Sequence, residues 1–513
     1  MTDQPLRSRR NHWNNQVAIH ADMRPDAVAF KFSGVDTTWK QLHDRSQKLA
    51  DALARRGVGF GDRVLIVMLN YTEYIESVLA INLLGAIAVP VNFRLTPPEL
   101  GYIVSDSGAK VVITDGMLVK LIAAVSQQVP GIELSIVLGS EPVGDAVAFE
   151  SLIAEDGEPH PDVDVPEDTP ALIMYTSGTT GSPKGAILSH GNMQAQAFTC
   201  IRALQTSRDS IYFCAAPLFH IAGLGSIAPN ILLGAKTVIQ PLGLFNAADT
   251  LDAWEREGAT SVFLVPAQWQ IVCADPTVRD RNLKLETISW GAAPASDSVL
   301  KAMADVFPNA QNVAVFGQTE MSPITCVLDG DDAIRKLGSV GKPIPTIATR
   351  VVDEEMNDVA PGEIGEIVYR GPTMMQGYWN KAAATAEAFE GGWFHSGDLV
   401  RVDDEGFVYV VDRKKDMIIS GGENIYCAEV ENVLFSHPKI REAAVIGREH
   451  DKWGEVPVAI VAGDDSLTLS ELEPFLNDRL ARYKHPKDLV IVPELPRNAS
   501  GKVVKPQLRK EYA

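Results

Sequence analysis

The stretch YTSGTTGSPKG, residues 175–185, directly follows the apolar run ALIM at 171–174. Its eleven positions hold three glycines, five serine or threonine hydroxyls, one proline and one lysine. ALIM reads as a buried strand, so the chain leaves a strand into a loop rich in backbone N–H groups and hydroxyls. Such a loop can wrap phosphate oxygens, and Lys184 adds positive charge. A plain surface connector has no need of this composition. The loop is not the nucleotide-kinase P-loop, which puts four residues between its glycines and Ser or Thr after its lysine. Here two residues separate Gly178 from Gly181, and Gly185 follows Lys184.

Upstream of the loop, helical and strand signals alternate. TWKQLHDRSQKLADALARRGVG (38–59) carries Leu42, Leu49 and Leu53 on one helical face, with Gly57 as a stop. DRVLIVML (62–69), AIAVPVN (86–92), KVVITD (110–115), SIVLG (135–139) and ALIMY (171–175) read as strands, and YTEYIESVLAINLLG (71–85) as a helix. The alternation predicts an α/β architecture with mostly parallel sheets covered by helices. The acidic, proline-rich segment 155–170 reads as a surface connection. Downstream, 348–371 looks β-rich. After 412–418 a small α+β unit begins, with a helix at 428–435 and strands at 443–447 and 456–461. Thr468 and Glu471 stand at capping-box spacing before another helix, and 496–505 reads as a hairpin-like tail. The expected division is a large N-terminal domain at 1–411, made of βα subdomains plus a β-rich subdomain. A charged hinge at 412–415 and a mobile C-terminal α+β domain at 416–513 follow.

With 513 residues the chain is too long for a single compact core. Apolar residues make up 46% and charged residues 22%, as in folded proteins rather than disordered ones. A net charge of −20 argues against binding a nucleic-acid backbone. The five cysteines (Cys200, Cys214, Cys273, Cys326, Cys427) form no CxxC pair, which excludes zinc spacing and a disulfide framework and suits a reducing cytoplasm. The best apolar run, 78–91, is interrupted by Asn82 and Pro90 and is too short to span a bilayer. RSRR at 7–10 has no apolar segment behind it, so no secretory signal is expected. The expectation is a soluble cytoplasmic protein, with peripheral contact at the inner face of the membrane left open.

YTSGTTGSPKG resembles the phosphate loop of the AMP-forming adenylating enzymes, which include acyl-CoA synthetases, peptide-synthetase adenylation domains and luciferases. Six further family motifs follow in order: PLFHIAGL (217–224), WGAAPAS (290–296), FGQTE (316–320), GWFHSGDL (392–399), DRKKDMIISGGENIY (412–426) and PRNASGKVVK (496–505). The resemblance runs over essentially the whole chain and leans toward bacterial, mycobacterial-type fatty-acid–CoA ligases. It implies an acyl-CoA synthetase-like fold and a two-step reaction. A carboxylate attacks the α-phosphate of ATP to give an acyl-adenylate and diphosphate; the CoA thiol then displaces AMP. Such chemistry needs charge neutralisation and alignment rather than a covalent enzyme intermediate.

The resemblance also assigns roles. Thr176, Ser177, Gly178, Thr179, Thr180 and Lys184 would hold the β- and γ-phosphates. Glu320 would bind Mg²⁺, a hard cation that takes carboxylate and phosphate oxygens together. Thr319 would bond the α-phosphate, with Phe316 and Gly317 of the same motif at the nucleotide. Ala292, Ala293 and Pro294 would lie against adenine, Ala292 standing where the family often has glycine. Asp398 would accept the ribose hydroxyls and Arg413 would bind beside it. Lys502 would reach the α-phosphate as negative charge builds there. Lys415 would be the hinge, and Gly421 and Gly422 would line the CoA channel. Cys427, where the family usually has proline, reads as a packing variation. His220 would gate the acyl pocket or orient the carboxylate, unless it is a satisfied, partly buried histidine. Trp269 and Trp290 either line that pocket or belong to the core.

Rival readings are weaker. GLGSIA (223–228) suggests a dinucleotide fold, but the acidic residue about twenty positions on is missing. No G-x-S-x-G elbow of a serine hydrolase is present. A non-catalytic nucleotide- or acyl-binding protein would need neither Glu320 nor Lys502. A fatty-acyl-AMP ligase that loads a carrier usually has an insertion before the hinge, and 338–371 is too short for one. A homodimer is compatible with the sequence; the acid itself, whether fatty, aromatic or steroid-derived, is not readable.

Overall fold

The computed structural model describes residues 10–139, 144–161, 163–176, 182–293, 295–330, 332–421, 423–477, 479–497 and 502–513. Among the described residues, no helix is long and apolar enough to cross a membrane. The chain divides into two compact units, Met1–Ala348 with Tyr369–Phe394 and Thr349–Val368 with His395–Ala513.

Two large sheets build the first unit, and the alternation in the sequence accounts for both. The first places Ile87–Pro90, Arg63–Val67, Val111–Asp115, Leu134–Leu138 and Val147–Ala148 side by side and parallel. At its other end lie β1 (Pro170–Thr176) and β2 (Lys184–Ser189), the strands that flank the glycine-rich loop. β1 runs parallel to Ile87–Pro90, but β2 turns back antiparallel to β1, pairing Thr176 with Lys184 and Tyr175 with Gly185. This antiparallel pair stands within a sheet that is otherwise mostly parallel, as the alternation predicts. Helix α1 (His190–Ala203) begins only after β2, capped by the Ser189 hydroxyl, which accepts from Asn192 N at 3.1 Å.

The second sheet carries β3 (Thr287–Gly291) and β4 (Gln311–Gly317), with Ser261–Leu264, Ile211–Cys214, Lys236–Ile239 and Val28–Phe32 continuing it in parallel. Antiparallel strands lie at both ends, β5 (Ile324–Leu328) beside β4 with Lys342–Pro343 at the edge, and Val35–Thr38 beside Val28–Phe32. Gly317 ends β4 where a Cβ would lie 1.8 Å from Pro323 O, so only glycine fits this close approach.

Helix Trp39–Arg55 is capped as its sequence asks: Thr38 Oγ1 accepts from Gln41 N, and the Gln41 side chain accepts from Thr38 N at 2.8 Å. Leu42, Leu49 and Leu53 are fully buried, each such side chain contributing roughly 1.5–3 kcal/mol. The apolar stretch 78–91 is core, not membrane. Asn82 within it satisfies its amide among Trp13 Nε1, Ala86 O and Ala171 O. GLGSIA lies inside helix Ile221–Leu233, and a Cβ on Gly223 would come 2.3 Å from Pro217 O, so that glycine answers to packing.

In the first unit β6 (Gly377–Tyr378) runs antiparallel to β2. The second unit opens with a four-stranded sheet in the order Ala348–Val352, Ile364–Arg370, β7 (Phe394–Val402) and β8 (Val408–Arg413). Beyond it, Ile440–His450 and Gly454–Gly463 form a long hairpin, with Asp488–Ile491 parallel to its second strand. Alternation sorts its side chains. Val445 and Val461 face Leu434, Leu472 and Leu476, whereas Ile446, Val458 and Ile460 face Leu495 and Leu508. Helix α2 (Cys427–Phe435) supplies Leu434, and α3 (Lys505–Tyr512) supplies Leu508. The hairpin-like tail is reduced to one bridge, Arg497 with Val503, and the helix after it is absent from the sequence reading.

After β3, Ala292 is exposed and sits at φ +65°. A left-handed conformation costs an alanine roughly 1–2 kcal/mol, against roughly 0.5–1 kcal/mol of extra chain entropy that glycine loses on folding. Ala292→Gly should therefore stabilise the protein by about 0.5–1 kcal/mol, measured as a rise in the denaturant midpoint at constant slope. A fall would mean that the Ala292 methyl makes contacts worth more than its strain.

Candidate active site

In the first unit the residues predicted around the phosphates gather at one corner. Thr176 ends β1, Lys184 begins β2, and Glu320 sits in the 3₁₀ turn Thr319–Met321 just past β4. The carboxylate of Glu320 is buried, and its Oε1 accepts from Thr176 Oγ1 at 3.3 Å. The main chain fixes it too, since Glu320 O accepts from Met375 N at 2.8 Å. Thr319, Phe316 and Lys184 are half-buried at this corner's edge, and Gly317 is exposed. Ser177, Gly178, Thr179, Thr180 and Pro294 lie outside the described residues; Ala292 and Ala293 are exposed past the end of β3.

One side chain here escaped the sequence reading. Tyr378, in β6, donates its hydroxyl to Glu320 Oε1 at 3.0 Å, and Lys184 Nζ lies 5.2 Å from its ring centroid. A two-residue strand has no periodicity to mark it; only the aromatic between Gly377 and Trp379 offered a signal.

His220 is half-buried at the N-cap of helix Ile221–Leu233. Its ring lies 5.4 Å from that of Phe219, which meets Phe93 edge to face at 5.5 Å. Asn70 holds this loop in place, accepting from Leu218 N at 2.9 Å and donating to Ala216 O at 3.1 Å. The two tryptophans belong to the core. Trp269 is fully buried and donates to Ser289 O at 3.0 Å; Trp290 donates to Asn312 Oδ1 at 2.9 Å.

In the second unit, Asp398 and Arg413 are register partners across β7 and β8, with Arg413 Nε 2.9 Å from Asp398 Oδ1. Asp398 is buried, while Arg413 remains partly exposed. The turn before Asp398 is organised by Glu366, a residue the sequence reading passed over. Its Oε2 lies 3.1 Å from both His395 Nδ1 and Lys414 Nζ, and its Oε1 accepts from Gly397 N at 2.9 Å. Burial pushes the Glu366 carboxyl up, but His395, the Gly397 amide and Lys414 outweigh it and hold the group below its ordinary value.

Lys415 and Lys502 are exposed, and the segment around the first is tied to the helix after the second. Arg509 of α3 pairs with Asp416 at 2.7 Å, and Lys505 pairs with Glu431 of α2 at 2.8 Å. Cys427 is fully buried, its thiol donating to Asp416 O at 2.9 Å, and burial pushes that thiol well up. This is packing, as expected, with no accessible thiolate. Gly421 sits at φ +62°, and a Cβ there would come 2.7 Å from the Trp453 ring, so its glycine has a structural reason within this unit. Gly422 lies outside the described residues.

Among the described residues, no cluster of three or more His, Cys, Asp or Glu could cage a metal. Glu320 is instead a single buried carboxylate beside hydroxyls and a lysine. That donor set fits Mg²⁺ held jointly with phosphate oxygens and water.

Comparison with known proteins matches this arrangement. The AMP-binding enzyme family matches residues 17–379, and the AMP-binding enzyme C-terminal domain matches residues 429–502. A feruloyl-CoA synthase of Amycolatopsis sp is 40% identical over 96% of this chain and 97% of its own. An indoleacetate–CoA ligase of Aromatoleum aromaticum is 38% identical over 96% and 97%. The o-succinylbenzoate CoA synthetase of Bacillus subtilis, solved with its acyl-adenylate intermediate, superposes with a TM-score of 0.87 at 32% identity, covering 96% of this chain and 98% of that one. The same synthetase solved with ATP and magnesium ion gives a TM-score of 0.86 at 32% identity, covering 96% of this chain and 99% of that one. These relatives are named for aromatic acids, where the resemblance of the sequence leaned toward fatty acids. Adenylate-forming CoA ligases use ATP, Mg²⁺ and CoA. Matched over residues 17–379 and 429–502 and paired over nearly its full length with such ligases, the chain belongs to the AMP-binding enzyme family, among its acyl-CoA ligases.

Proposed function

We propose that this protein activates an aromatic carboxylic acid with ATP and joins it to CoA, releasing AMP and diphosphate. The observation that carries the reading is the corner where Thr176, Lys184 and the buried Glu320 carboxylate converge. A binding protein gains little from a desolvated carboxylate beside a phosphate-binding loop; a reaction that develops charge on phosphate does. The aromatic class is supported by the relatives and by the Phe93–Phe219–His220 row of rings, which suits a planar acid.

In the first step an oxygen of the substrate carboxylate attacks the α-phosphorus, and the bond to the diphosphate oxygen breaks. Lys184 and Thr176, with Ser177, Gly178, Thr179 and Thr180, would hold the departing phosphates. Thr319 would bond the α-phosphate and Lys502 would meet its growing negative charge. Mg²⁺, on Glu320 and the phosphate oxygens, supplies charge neutralisation when bound. Ala292, Ala293, Pro294, Phe316 and Gly317 would lie along the base, and Asp398 with Arg413 would take the ribose. His220 would orient the acid. In the second step the CoA sulfur attacks the acyl carbon and AMP leaves. We place the hinge between the steps at Lys415, between domains at 1–411 and 416–513, with Gly421 and Gly422 serving CoA.

Purified protein supplied with ATP, Mg²⁺ and CoA should form AMP and thioester from ferulate, indoleacetate or 2-succinylbenzoate. Its kcat/KM for the best of these should exceed that for straight-chain acids by on the order of tenfold or more. A straight-chain acid that wins would reverse the acyl assignment, and AMP without thioester would favour a carrier-loading ligase. Lys502→Ala should cut adenylate formation by about 10²–10³-fold while sparing thioester formation from supplied acyl-adenylate. Equal damage to both half-reactions would refute the role given to Lys502.

A further inference from the structure

We propose that Tyr378 is a positioning residue for nucleotide activation, holding the Glu320 carboxylate through its hydroxyl and the Lys184 ammonium against its ring face. The proposal rests on the reading of Glu320 and Lys184 given above. Among the described residues, the two hydrogen bonds to the Glu320 carboxylate, from Tyr378 and from Thr176, fall on Oε1. A carboxylate that shares a divalent cation with phosphate oxygens must present one oxygen outward, and this pair of donors turns Oε2 to that task.

The ring is held from behind. Tyr378 is in register with Ala186 of β2, two residues past Lys184, and its N donates to Thr385 Oγ1 at 2.9 Å. The residues that follow are tied to Asp106: Trp379 Nε1 and Asn380 Nδ2 donate to its carbonyl at 3.2 and 3.1 Å, and Lys381 Nζ reaches its carboxylate at 2.7 Å. The same carboxylate accepts from Tyr175 OH at 2.8 Å, steadying the strand that leads into the loop. A fixed ring face 5.2 Å from Lys184 Nζ restrains a side chain that is otherwise rich in rotamers.

Hydroxyl and ring can be separated. Tyr378→Phe removes the bond to Glu320 and keeps the ring; Tyr378→Leu removes both. ATP affinity should be measured by titration calorimetry with and without Mg²⁺, beside diphosphate release as a function of Mg²⁺. In Tyr378→Phe, Mg²⁺-free ATP affinity should match wild type, while the gain in affinity that Mg²⁺ brings should shrink on the order of tenfold. The Mg²⁺ needed for half-maximal adenylate formation should rise by a similar factor. Tyr378→Leu should additionally lose roughly threefold to tenfold of Mg²⁺-free ATP affinity. Thioester formation from supplied acyl-adenylate should stay within about twofold of wild type in Tyr378→Phe. Wild-type Mg²⁺ dependence in Tyr378→Phe, or equal losses in both half-reactions, would overturn the proposal even if Tyr378→Leu failed to fold. Glu320→Gln separates the two layers of the argument. Unaltered Mg²⁺ dependence there removes the role of Glu320 itself, whereas an effect there with none in Tyr378→Phe removes only that of Tyr378.

Discussion

The contact on which the site depends is the hydrogen bond from the Thr176 hydroxyl to the Glu320 carboxylate. Thr176 ends a strand of one large sheet, and Glu320 follows a strand of the other. Each position is set by its own ladder, so the bond brings the ends of two independently built sheets to one point. Ligands of α/β proteins collect at such strand ends, where loops can vary without disturbing the sheet. Glycine at 317 is part of this constraint, because the close approach of Pro323 O leaves no room for a side chain just before the turn that presents Glu320.

A buried carboxylate is costly unless its charge is compensated. Glu320 has two hydroxyl donors and a lysine nearby, but no guanidinium fork of the kind that neutralises Glu155 with Arg56 elsewhere in this unit. The Mg²⁺ proposed for this site would add the missing compensation. The second unit treats its own acid differently. Asp398 faces Arg413 directly, and its turn is braced by Glu366. One acid thus stands among hydroxyl donors and the other beside a fixed cation, a contrast that suits the metal and ribose roles proposed for them.

Much of this was legible in the order of residues because the chemistry is concentrated in short motifs. The loop at 175–185, Glu320 after its Gly-Gln turn, and the Asp398 and Arg413 positions all stand in contiguous strings. The helix at 39–55 was legible through its leucine spacing and its glycine stop. What escaped depends on return paths that no local pattern encodes. β2 runs antiparallel although its neighbours run parallel, and nothing in KGAILS distinguishes the two directions. Tyr378 acts through a two-residue strand paired far along the chain. Glu366 looks like an ordinary strand acid until β7 brings Gly397 and His395 to it. Trp269 and Trp290 illustrate the opposite case: large aromatics near a site motif were tempting as pocket walls, yet both use their N–H groups to satisfy the core. Helix α3 was hidden because Pro506 reads as a stop within a helical pattern although proline is well placed in a first helical turn.

The ion pairs of the second unit carry a mechanical consequence. Arg509 grips Asp416, and Lys505 grips Glu431, so α3 is fastened to the chain immediately after Lys415 as well as to α2. Only two residues, Val503 and Val504, separate Lys502 from Lys505. Few soft torsions therefore lie between α3, fastened beside Lys415, and the Lys502 backbone. A change of dihedral angle at Lys415 would reach Lys502 with little slack, as displacement rather than as local bending.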